Sequence, residues 1–201
     1  TISKRNAAQL NEITGGSFLG VDSVLNQVTE EEIRQLHIKW DLPIRVKNLQ
    51  NPLLGAFHEL NPSAQQLAQI VCLAEHEVSP EALRVVTDEL GIPAAIDEAV
   101  RAGVLMESGF GQSIVAREHL IGAAVHETVE PSFMRRVHRI FAGLTEGFRS
   151  VRHMLKGAET WSDELHEQAQ LFAREASRQS QYTNASDILR MVLDLASDPQ
   201  D

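Results

Sequence analysis

The sequence predicts a mainly α-helical protein in three consecutive segments, with a single small β-hairpin in the middle one. Three observations predict it. Apolar residues recur at helical spacing behind repeated Asn-Pro, Ser-Pro and Gly punctuation. The period changes from helical to extended only once, around residues 104–116, and the last third is rich in alanine at packing intervals.

In the first segment, residues 1–58, Ala7, Ala8, Leu10 and Ile13 mark a helix that Thr14-Gly15-Gly16 stops, because glycine accepts the positive φ of a helix end. A second helix is expected through residues 18–28. Thr29 and Glu32 have capping-box spacing for a third. Two prolines, Pro43 and Pro52, break the periodicity of residues 40–52, which read as an extended connector.

The second segment, residues 59–130, is the most regular. Asn61-Pro62 is a cap and first-turn proline ahead of a helix whose face is Leu67, Ile70, Val71 and Ala74. Ser79-Pro80 repeats the signal, and Gly91 closes that helix. Pro93 is expected to open a third helix ending at Gly103. Residues 104–108 and 112–116 flank Gly109 and Gly111 as a hairpin, and a helix from Arg117 to Val129 follows. Three helices, a hairpin and a helix are the layout of a winged-helix domain. In the third segment, residues 131–201, helices are expected at 132–144, 148–158, 162–179 and 185–196. There Ala169, Ala173, Ala176 and Ala185, with Leu171, Leu189 and Leu193, predict a closely packed antiparallel pair like one unit of a TPR-like helical repeat.

Composition narrows the function classes. The chain carries 43% hydrophobic and 23% charged residues, enough apolar material for a buried core. Its net charge of -10 opposes contact with phosphate backbones. Across residues 60–130 eleven acids face three bases, and the expected recognition helix offers Asp97 and Glu98 against Arg101. One cysteine, Cys72, allows no internal disulfide and fits a reducing compartment, so the cytoplasm is expected. No run nears the length of a membrane helix, so no membrane contact is expected.

Catalytic chemistry finds no motif. GxxxxGK[ST], HExxH, paired CxxC and GxSxG are all missing from the sequence. Cys72 and His76, four residues apart, are expected on one helix face but supply only two of the three or four ligands a zinc site needs. His138 and His153 read as helix-packing or surface residues, and Phe133, Phe141, Phe148 and Phe172 as core. Neither a cofactor nor a metal is expected in this chain, and it is not expected to be an enzyme. A positive stripe remains. Arg135, Arg136, Arg139, Arg149, Arg152 and Lys156 are opposed only by Glu146 within residues 131–156, and they are the candidate contact surface for a neighbouring protein domain.

The order of these blocks resembles the region that follows the nucleotide-binding core in large ATP-binding transcription regulators of the LuxR family (STAND/AAA type). The residues carrying the likeness are Thr14-Gly15-Gly16, Leu42-Pro43-Ile44-Arg45-Val46, Leu60-Asn61-Pro62-Ser63-Ala64, Ile96-Asp97 through Gly103-Val104-Leu105, and Val137-His138-Arg139-Ile140-Phe141-Ala142. The resemblance implies a helical lid segment, a winged helix and the start of a helical repeat. It implies a non-catalytic module relaying signals between sensor repeats and an ATPase or DNA-binding output. The implied partners are the other domains of the parent regulator and a small-molecule or protein inducer. DNA would be touched only by a domain outside this chain, and ATP or ADP would belong to the parent protein. Two positions depart from the family pattern. Phe18 stands where a proline usually meets the nucleotide base. Glu118 stands where a histidine can face phosphate, with His119 one place later, and a carboxylate there repels phosphate. The alternative from another class is a DNA-binding winged-helix repressor with a helical dimerisation tail.

Overall fold

The computed structural model describes residues 54–109, 112–117 and 119–197, together with helical backbone at Ala7, Asn11 and Val21. The expected stop at Thr14-Gly15-Gly16, the capping pair Thr29 and Glu32, the connector at 42–46, and the positions Phe18 and Glu118 lie outside the described residues. The chain divides into two compact units, one up to Val129 and one from Glu130.

In the first unit, helix α1 (Pro62–Ala74) starts where Asn61 accepts a 2.9 Å bond from the Ala64 amide and Pro62 pre-sets φ. It is apolar almost all round, with Ala64, Leu67, Ala68 and every residue from Ile70 to Ala74 buried, as befits a helix at the centre of a core. It ends because Glu75 turns left-handed at φ 58. His76 therefore lies beyond the helix, and the expected Cys72–His76 face does not form. Helix α2 (Pro80–Leu90) repeats the start with Ser79, whose hydroxyl accepts from the Ala82 amide at 3.1 Å. Gly91 at φ 68 closes it, and the Ile92 amide reaches back to the Thr87 carbonyl at 2.9 Å.

Helix α3 (Ile96–Arg101) begins three residues after Pro93, where it was expected to open. The Ile92 amide is committed to the end of α2, and the residue before Pro93 has no polar side chain to cap a new helix. Strands β1 (Leu105–Ser108) and β2 (Ser113–Ala116) pair antiparallel with Leu105 opposite Ala116 and Ser108 opposite Ser113. Val78 extends the sheet by an isolated bridge to Ile114, through paired bonds of 2.9 and 2.8 Å. Helix α4 (His119–His126) is shorter than the expected 117–129. At its start the Arg117 amide still bonds the Val104 carbonyl at 3.0 Å, beside the hairpin. At its end the Thr128 hydroxyl takes the Val125 carbonyl at 2.6 Å and turns the chain. Helix α1 touches α2, α3, α4 and β2, so the small module is assembled around it.

In the second unit, helix α5 (Pro131–Leu144) is capped by Glu130, whose carboxylate accepts from the Phe133 amide at 2.9 Å. The Ser132 hydroxyl and that amide hold the Glu130 carboxyl below its ordinary range. Helix α6 (Gly147–Gly157) folds back on α5. Ser162 caps helix α7 (Asp163–Arg178), and a short turn with Ser180 at φ 61 leads into helix α8 (Tyr182–Ser197). Ala169 of α7 and Ile188 and Val192 of α8 are buried in one cluster with Leu155 of α6, and Ala173 and Ala176 of α7 with Ala185 of α8 in a second.

The leucines expected with those alanines are not in those clusters. Leu171, Leu189 and Leu193 are 57%, 44% and 65% exposed. The reason is angular. Each residue advances about 100° around a helix, so Leu171, two places from both Ala169 and Ala173, points away from the face those alanines bury. Leu189 and Leu193 each stand one step beyond a buried neighbour, Ile188 and Val192.

Candidate functional site

The positive stripe falls on α5 and α6, and the structure gives its members different surroundings. Arg139 reaches across to the end of α6: its Nε donates to the Gly157 carbonyl at 3.0 Å, and its guanidinium pairs with Glu159. Gly157 permits that approach. A Cβ there would stand 3.0 Å from both Cγ and the backbone nitrogen of Arg139, and 3.3 Å from the Arg135 carbonyl oxygen. Arg135 is half-buried, with its Nε out of reach of water and of any hydrogen-bond acceptor. Arg152 lies with its guanidinium carbon 5.9 Å from the Phe148 ring centre, a cation–π contact one helical turn long. Lys156 is half-buried, while Arg136 and Arg149 are exposed. Sequence spacing treated the six alike. The fold separates the packing cation Arg139 from the solvent-facing Arg136 and Arg149.

Between these helices lies an unexpected polar contact. His138 of α5 and His153 of α6, both buried, meet Nδ1 to Nδ1 at 2.8 Å. Phe141 stacks on the His153 ring at 5.3 Å. The alternative of a surface role for these histidines is thereby corrected. A signal existed in the sequence, since Val137, His138 and Phe141 share one apolar face. What spacing could not supply was the partner fifteen residues on.

An open groove of about 470 Å³ runs beside the stripe, lined among others by Arg139, Ala142, Met154, Gly157, Glu159 and Leu165. Its charged groups, Arg139 and Glu159, pair with each other. Elsewhere, burial pushes the Cys72 thiol up to about 12, so almost no thiolate exists near neutral pH. Among the described residues no three His, Cys, Asp or Glu side chains gather as a metal-ligand set.

In the first unit, the helix expected to read DNA is engaged from behind. Glu98 of α3 accepts from the Asn61 amide at 2.8 Å and from the Asn61 side chain, tying α3 to the start of α1. Arg101 turns its Nε onto the Asp97 carbonyl at 3.1 Å. At the hairpin, Glu77 accepts from the Ser108 and Ser113 hydroxyls at 2.7 and 2.8 Å, and both bonds hold its carboxyl below the ordinary range. Glu107 and Met106 on β1 are exposed. The sequence reading missed both clasps, because nothing in local spacing pairs residue 61 with 98, or 77 with 108 and 113. His119 opens α4, and Phe18 and Glu118 lie outside the described residues.

Fold and site together define, among the described residues, a mainly helical protein with one small antiparallel two-stranded sheet. Among the described residues, no helix is long and apolar enough to cross a membrane. No family model matches the chain, and neither a curated protein nor a solved structure does.

Proposed function

We propose that the chain is a non-catalytic regulatory module whose first unit is a winged helix and whose second is a helical linker with the start of a TPR-like repeat, taken from a cytoplasmic LuxR-type ATP-binding transcription regulator. In this reading the module relays a conformational signal between a sensor and an ATPase or DNA-binding output. The signal is a population shift, driven by an inducer that prefers one packing over another.

The observation that carries the reading is the acidity of the α3 and hairpin face. Glu98 is spent on Asn61, Arg101 bends back onto its own helix, and Glu77, Asp97 and Glu107 dress the rest. Such a surface repels phosphate and favours a protein neighbour. The helix order, with Val78 bridging to the hairpin between α1 and α2, supports the winged-helix layout. Exposed Arg136 and Arg149 supply cations suited to an acidic protein surface.

Co-expression with the coding segment that precedes this one tests the reading. The longer chain is expected to bind a fluorescent ATP analogue and the 201-residue chain to bind none. A longer chain that also fails to bind nucleotide would remove the LuxR-type reading and favour the DNA-binding repressor.

A further inference from the structure

We propose that His138 and His153 form an acid-sensitive clasp between α5 and α6, a property that does not depend on the functional reading above. At 2.8 Å one Nδ1 must donate and the other accept. A neutral pair or a singly protonated pair meets that requirement. With both rings protonated, two N–H hydrogens face each other and the bond is lost. The site also disfavours charge in general. His138 is 0% and His153 4% exposed, so an added proton is stripped of water.

The surroundings act in the same direction. On α5 the flanking charges are Arg135 and Arg139, and on α6 they are Arg149, Arg152 and Lys156. Helices α7 and α8, which pack on α6, bring His166, Asp163, Glu164, Glu167, Glu175, Asp187 and Asp194, with Tyr182, Arg174, Arg178 and Arg190. Every carboxylate in that set is exposed, and Glu159 is already paired with Arg139. Among the charges on these helices, the half-buried ones, Arg135, Arg152 and Lys156, are thus all positive, and the negative groups are in water.

The sign follows from linkage. Unfolded, both imidazoles take up protons near their ordinary value of about 6.5; folded, the pair resists the second. The unfolded or opened state therefore binds more protons, and the stability is present above that value and lost as pH falls below it. Acidification would release α6, and with it the helices packed upon it, without any ligand.

The test uses the full chain carrying Trp40→Phe, so that Trp161, packed against the Leu155 and Ala169 core, reports alone. Urea unfolding is followed from pH 7.5 to 5. The folding constant is expected to stay level above about pH 6.5 and to fall by up to about tenfold per pH unit below it for the extra proton, and the added pair His138→Gln and His153→Gln to remove that slope. An identical slope in both proteins would overturn the clasp. Should the double variant not fold, imidazole nitrogen NMR of the native chain decides. One donor and one acceptor Nδ1 that resist charging until the α5 and α6 amide signals are lost sustain the proposal. Two rings that charge near their ordinary value with both helices intact refute it.

Discussion

In α1 the buried positions include Leu67, Ile70, Val71 and Leu73, and in α7 they are Ala169, Ala173 and Ala176. The first unit encloses large aliphatic side chains around a single apolar helix, α1, capped by Asn61, and Ser79 caps α2 beside it. The second brings thin helices close together. It leaves Leu171, Leu189 and Leu193 in water and keeps a histidine pair in its interior. Both units bury large apolar groups, Phe141, Leu155 and Ile188 among them in the second, and the second adds a polar histidine contact to that interior. Large aliphatic burial in α1 and small-residue packing between α7 and α8 are two contrasting ways in which this chain builds a core.

Removing side-chain volume should produce the largest asymmetry. Leu73→Ala, in the last turn of α1, is expected to destabilise the first unit by about 2–5 kcal/mol, as cavity formation does in a closed core. Leu193→Ala on α8 is expected to change stability by less than about 0.5 kcal/mol. Urea titration of both variants compares them, and equal losses would abolish the distinction.

Next in size is the close approach in the second unit. Gly157→Ala should cost roughly 1–3 kcal/mol, because the new methyl meets backbone atoms of α5 that cannot turn aside as a flexible side chain could. Thermal unfolding read by Trp161 fluorescence checks it, and a neutral result would show that the helices separate readily there. Asn61→Ala should cost the first unit about 1 kcal/mol, since it deletes the α1 cap and the side-chain contact to Glu98.

The smallest effect belongs to Glu77. Because its carboxyl is held below the ordinary range, its contribution is present above the unfolded carboxylate value and disappears as pH falls through the folded one. Glu77→Gln should therefore flatten the acid limb of the first unit's melting temperature, near and below pH 4, while leaving the value at pH 7 slightly lower. An unchanged acid limb would mean that the Ser108 and Ser113 bonds do not favour the carboxylate.

Local chemistry made much of this fold legible. Asn61-Pro62, Ser79-Pro80 and Gly91 act within one helical turn, so the starts of α1 and α2 and the end of α2 could be read directly. The single change of period at 104–116 revealed the hairpin for the same reason. Boundaries set by competing long-range bonds were misread: Pro93 did not open α3, and Arg117 stayed with the hairpin instead of joining α4. Side-chain destinations were harder still. Alanine spacing located the α7 and α8 contact, but the neighbouring leucines were assigned inward because periodicity gives a face and not its width. Of the basic stripe, charge counting found the six residues, and only the fold separates Arg139, bonded to Gly157 and Glu159, from Arg136 and Arg149 in water.

The most direct test of a protein-facing rather than phosphate-facing module is fluorescence anisotropy of labelled duplex DNA titrated with the full chain from 20 to 200 mM salt, at roughly the range over which phosphate contacts weaken most steeply. The account predicts no saturable binding at low salt and no dependence on salt. Tight binding at low salt that falls steeply as salt rises, and that is lost on Arg101→Glu, would contradict it.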